Sequence, residues 1–121
     1  MTLESEIAKT IRRIKRKRSS SFGGRITSFE YVKGQKQEIL DFEARDNFFA
    51  YIYDSHGRII CDVRPGHSAS RYSLGLAGER VGDVLRRQDV AKRARFVLIH
   101  KSYRDYGINF PNEYKLYDLR Q

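Results

Sequence analysis

The chain has one cysteine, Cys61, only two prolines, one methionine and no tryptophan. A single thiol excludes an intramolecular disulfide framework and points to a reducing compartment. No stretch approaches the about 20 consecutive apolar residues of a membrane-crossing helix. Charges interrupt every apolar run near the N-terminus, so no secretory leader is expected. The expected setting is intracellular: cytoplasmic, nuclear or nucleoid-associated. Three dispersed histidines and one cysteine give no zinc-ligand spacing. A Walker-type phosphate loop, a dinucleotide-binding glycine fingerprint and a serine-hydrolase nucleophile elbow are all missing. Asp41, Glu43, Asp46 and Asp54 include no magnesium pair of the nuclease kind. No cofactor and no metal is therefore expected.

What the chain does have is positive charge, unevenly placed. Its 121 residues carry a formal net charge of +9, and residues 1–18 hold seven of the 24 Lys and Arg side chains against Glu4 and Glu6 only. The core of that run is Arg12, Arg13, Lys15, Arg16, Lys17 and Arg18. Charge so concentrated repels itself unless an anion shares it, and the commonest such partner is nucleic acid. Seven Phe and eight Tyr, with 40% apolar residues, are enough for a core. A disordered chain is poorer in aromatics.

Residues 2–18 read as an amphipathic helix. Leu3, Ile7, Ile11 and Ile14 recur at spacings of four, four and three and form one apolar stripe. Thr2 is placed to cap it, with carboxylates in the first turn and cations in the last, as the helix dipole favours. So short a helix is marginal alone. Its stripe must lie on the body, on a second copy of the chain or on a membrane. A bilayer is disfavoured, because the stripe has no aromatic and only one Leu. Ser19 to Gly24 then reads as a hinge, which divides the chain into a basic helix and hinge over 1–24 and a single α+β domain over 25–121.

From Arg25 the apolar period shortens to two. Phe29 and Tyr31, a turn at Lys33–Lys36, then Glu38, Leu40 and Phe42 predict a first hairpin. Residues 48–53 and 58–63, joined by Asp54-Ser55-His56-Gly57, predict a second. A single central helix is expected from Glu79 to about Arg93, with Val81, Val84, Leu85 and Ala91 on its packed side. Phe96–Ile99 and 113–119 follow as strands. The sum is an antiparallel sheet of about five or six strands with one helix packed on it.

Three functions compete. The first is a DNA- or RNA-binding protein that contacts phosphates through the N-terminal run and through Arg86, Arg87, Lys92, Arg93 and the nearby Arg95. If both helices lay on one side of the sheet, these clusters would make one broad surface. The second is a small metal-independent ribonuclease using His67, Arg71 and Tyr72 in the long loop 64–75, as general acid or base, cation and hydroxyl. The third is an interaction module that oligomerises through Leu3, Ile7, Ile11 and Ile14. Binding is preferred over catalysis because no second histidine or carboxylate lies beside His67 in the sequence. The aromatics Phe49, Tyr51 and Tyr53, in register on one face of a strand, read first as a half-covered sheet face and only second as a base-stacking surface.

Overall fold

The computed structural model describes residues 8–14, 16, 26–34, 37–45, 48–66, 78–101 and 112–120. It is a mixed α/β arrangement of one five-stranded sheet and a few short helices. The strands are β1 (Ile26–Lys33), β2 (Phe48–Tyr53), β3 (Ile59–Val63), β4 (Phe96–Lys101) and β5 (Asn112–Asp118). Their order across the sheet is β1-β5-β4-β2-β3. The helical segments are α1 (residues 8–14), α2 (Gln37–Leu40), α3 (Val81–Leu85) and α4 (Gln88–Ala91). Among the described residues no helix is long and apolar enough to cross a membrane.

The second hairpin forms where expected. Asp54 builds its turn: Oδ1 accepts the amides of His56 and Arg58, each at 2.9 Å, and Gly57 takes a φ of 78°. This is the usual work of Asp and Gly in a tight turn. The first hairpin does not form. Residues 37–40 are a helical turn, because Ile39 and Leu40 both pack toward the core. Consecutive strand residues would point them to opposite faces. β1 instead pairs in parallel with β5, in register from Phe29 opposite Tyr114 to Lys33 opposite Asp118. The sheet is therefore mixed rather than wholly antiparallel.

The expected central helix is also divided. Arg86 ends α3 in the right-handed helical region, and Arg87 is extended (φ −62°, ψ 133°) before α4 begins. The break has a packing cause. Val81, Val84 and Val90 are all buried. Val90 lies nine residues beyond Val81, about two and a half turns of a continuous helix, and would face away from the core. Breaking the helix turns Val90 inward and leaves Ala91, which a continuous helix would place on the packed side, exposed.

Alternation along β4 divides the core in two. Val97 and Ile99 join Ala50, Ile52, Val63 and Tyr117 on the face covered by α2, α3 and α4. Phe96 and Leu98 join Tyr53, Tyr114 and Leu116 on the other face, where Ile14 is fully buried and Ile11 packs beside it. Ile11 and Ile14 thus cover the chain's own sheet. Leu3 and Ile7, the rest of that stripe, and the hinge 19–24 lie outside the described residues.

Candidate nucleic-acid interface

Docking of α1 decides which of its cations reach solvent. With Ile14 inward, Arg12, Arg13 and Arg16 are exposed. The helix sits on the β2–β3 turn: Arg13 Nη1 donates to the His56 carbonyl at 3.0 Å, and Thr10 Oγ1 to that of Ser55 at 3.5 Å. Gly57 permits the approach, since a methyl there would lie 3.1 Å from Thr10 Cγ2. Lys15, Lys17 and Arg18 fall outside the described side chains.

On the opposite face, the inward Val81, Val84 and Val90 leave Arg86, Arg87, Lys92 and Arg93 exposed. Two of these are engaged. Arg86 pairs with Asp83 at 3.0 Å, and Arg87 pairs with Glu79. Glu79 is held below the usual carboxylate range first by the Arg64 amide, which donates to it at 2.8 Å, and then by Arg87. Arg93 Nε donates to the Asp89 carbonyl at 3.3 Å, and Lys92 carries no ion pair among the described residues. Arg95 does not belong with them. It is buried and bonded to Asp118.

The two basic clusters therefore lie on opposite faces, and the single broad surface expected for helices on one side is not formed. Only Lys92 and Arg93 of the second cluster approach the end of the sheet where α1 docks, whereas Arg87 is held by Glu79 beside Arg64, toward the opposite end. The Arg95 amide donates to Tyr53 O at 2.8 Å, which brings the end of α4 to the β2–β3 turn. Tyr53 lies opposite Phe96, and Phe96 opposite Asp118. Lys33, Arg58, Lys92, Arg93 and Arg120 are exposed at this end, and Arg13 reaches it through His56. Two nearby carboxylates are occupied, Asp54 by the amides of its own turn and Asp118 by Arg95. Lys33, Arg58 and Arg120 were not singled out by sequence reasoning, since each stands alone in the chain. Only the strand register gathers them.

The aromatic residues form an internal row. Phe29, Tyr114, His100 and Phe49 sit opposite one another on four adjacent strands. His100 stacks on Tyr114 with ring centres 4.3 Å apart and planes 5° from parallel, and Phe49 lies 5.6 Å from His100. His100 and Tyr114 are about 1% exposed. Of the aromatics in register on β2, Tyr53 is buried, and Phe49 and Tyr51 are partly buried. His67, Arg71 and Tyr72 lie outside the described residues. No group of three or more His, Cys, Asp or Glu suited to a metal occurs among the described residues. Comparison with protein-family models, with curated proteins and with solved structures finds no match.

Proposed function

We propose that this chain binds nucleic acid, DNA or RNA, through backbone phosphates. Arg12, Arg13 and Arg16, continued by Lys15, Lys17 and Arg18, supply one set of contacts. Lys92 and Arg93 supply another, with Arg86 and Arg87 contributing less because Asp83 and Glu79 already pair with them. The observation that carries this reading is that Lys92 and Arg93 reach the end of the sheet where Lys33, Arg58 and Arg120 are exposed and Arg13 docks, with Asp118 there already paired with Arg95. Exposed cations of this kind suit contact with backbone phosphates. No described geometry favours the ribonuclease reading.

Binding to labelled duplex DNA, single-stranded DNA and RNA, measured by fluorescence anisotropy between about 50 and 200 mM salt, tests this. Affinity should fall linearly on logarithmic axes. Each phosphate contact removed should flatten the slope by about 0.9 on duplex DNA. Changing Arg12, Arg13 and Arg16 together to Gln should therefore flatten it by up to about three such steps. Charge variants are preferable to deletion of residues 1–18, because removing Ile14 would uncover Tyr53, Phe96 and Leu98. No binding at the low-salt end, or a slope unmoved by the triple variant, would remove the arm from the mechanism.

A further inference from the structure

A cleft of about 430 Å³ opens at the other end of the sheet, on the face shared with α2 and α3. The chain builds it in three strokes. Phe48 opens β2 directly opposite Lys101, the last residue of β4, so both project to one face. Arg45 and Phe48 exchange backbone hydrogen bonds at 3.0 and 2.9 Å at the rim. Glu43 bridges Arg80, which brings the segment after α2 beside the start of α3. Phe42 and Phe48 are the apolar lining, and Asp41, Glu43, Arg45, Arg80 and Lys101 complete the walls.

The charges in this cleft are unequally committed. Glu43 accepts the Gly78 amide through Oε1 and the Arg45 guanidinium through Oε2, both at 3.2 Å. Asp41 accepts the Gln37 side-chain amide at 3.1 Å. Arg80 and Lys101 carry no ion pair among the described residues. Arg80 and Lys101, without an ion pair among the described residues, therefore line the same space as two phenyl rings. A flat apolar ring joined to an anion satisfies both halves, and a bare cation satisfies neither. The volume falls within the range of about 300–1,000 Å³ typical of small-molecule sites.

We infer that this cleft binds a single phosphorylated nucleoside, its base against Phe42 and Phe48 and its phosphate on Arg80 and Lys101. Two sources offer that chemistry, a free mononucleotide and the phosphorylated end of a strand. The site is separate from the phosphate-tracking end of the sheet.

The test uses the full chain, labelled with nitrogen-15 and followed by amide chemical shifts. It is titrated with adenosine 5′-monophosphate, with adenosine, with inorganic phosphate, and with a short 5′-phosphorylated oligonucleotide beside its 5′-hydroxyl twin. A phosphorylated probe should move the amides of residues 41–45, Phe48, Arg80 and Lys101, with adenosine and phosphate each at least about tenfold weaker, since each makes only half the contacts. Selective response to the phosphorylated oligonucleotide over its twin assigns the source to a strand end. Response to the mononucleotide alone assigns it to a free nucleotide. Arg80→Gln with Lys101→Gln should weaken binding about tenfold or more without changing the melting temperature. Phe48→Leu should weaken it about five- to a hundredfold. The Arg12/Arg13/Arg16 variant should bind adenosine 5′-monophosphate as the parent does, which separates this site from the phosphate-tracking surface. Silence of the cleft amides toward both phosphorylated probes overturns the inference. So does phosphate binding as tightly as the mononucleotide, or unchanged affinity in the Arg80/Lys101 variant.

Discussion

Asp118 ties β1, β5 and the approach to β4 together. It accepts from Arg95 Nε at 2.6 Å and Nη2 at 3.1 Å, from the Tyr31 hydroxyl at 2.5 Å, and from the Arg120 amide at 3.0 Å. Burial alone would raise its pKa, but the bonds from Arg95, Tyr31 and Arg120 together hold it below the usual carboxylate range. Tyr31 is pushed up to about 12, chiefly by burial and then by its bond to Asp118. The two shifts act at opposite ends of the pH scale. Because Asp118 is the stronger acid when folded, its contribution is complete above the ordinary carboxylate pKa of about 4. It is lost as pH falls through the lower folded value. Tyr31 contributes below the ordinary tyrosine pKa of 10.0, and its share is lost as pH rises toward about 12. Asp118→Asn leaves Arg95 buried without its counter-charge and should cost about 3–5 kcal/mol. Urea midpoints from pH 3 to pH 7 check this. The variant's acid limb should be flatter than the parent's, and parallel profiles would show that Asp118 is not the group titrating. In the sequence Arg95 reads as the last member of a surface cluster, since it follows Lys92 and Arg93. The opposing signal is that it immediately precedes the fully buried run from Phe96 to Ile99.

At the scale of elements, local signals were legible and non-local ones were not. The Asp54–Gly57 turn and its two strands are set by neighbouring residues, so the second hairpin follows from the sequence. The short strands at Phe96 and at 113–118 are equally plain. The pairing of β1 with β5 joins residues more than eighty positions apart, and no local rule selects it over a neighbouring hairpin. The divided helix misleads for a different reason. A periodicity reading assumes an unbroken 3.6-residue turn and so assigns Ala91 to the packed side. The register restarts at Arg87, and Val90 packs instead. Val90→Ala should therefore cost about 2–3 kcal/mol from lost burial and the cavity left behind. Ala91→Gln should change stability by no more than about 0.5 kcal/mol, as expected of an exposed position. Chemical denaturation of the two variants checks the break. Equal effects, or a larger one at Ala91, would restore the continuous helix. The proposed basic surface is half legible for the same reason: a run such as Arg12–Arg18 stands out in the sequence, whereas Lys33, Arg58 and Arg120 are gathered only by strand order.

For the molecule as a whole, the net charge of +9 sets two opposing responses to salt. Like charges crowd one end of the sheet, and their repulsion acts over the screening length, about 30 Å at 0.01 M and about 8 Å at 0.15 M. Against this stand the surface pairs Arg45–Glu43, Arg86–Asp83 and Arg87–Glu79, which salt also weakens. Exposed pairs are each worth only about 0–1 kcal/mol, so they do not offset the imbalance of charge. The free protein should therefore gain stability, and a higher Tm, as salt rises from about 0.01 to 0.15 M. A bound polyanion reverses the order. It stabilises the folded state in proportion to the logarithm of its concentration over its Kd, and that Kd rises with salt. The increase in Tm caused by added duplex DNA should be largest at low salt and shrink as the free protein's own Tm climbs. Thermal scans with and without DNA across that range measure both slopes. A free-protein Tm that falls with salt would show that the ion pairs outweigh the repulsion. A DNA-induced shift independent of salt would mean that the contacts are not to phosphate.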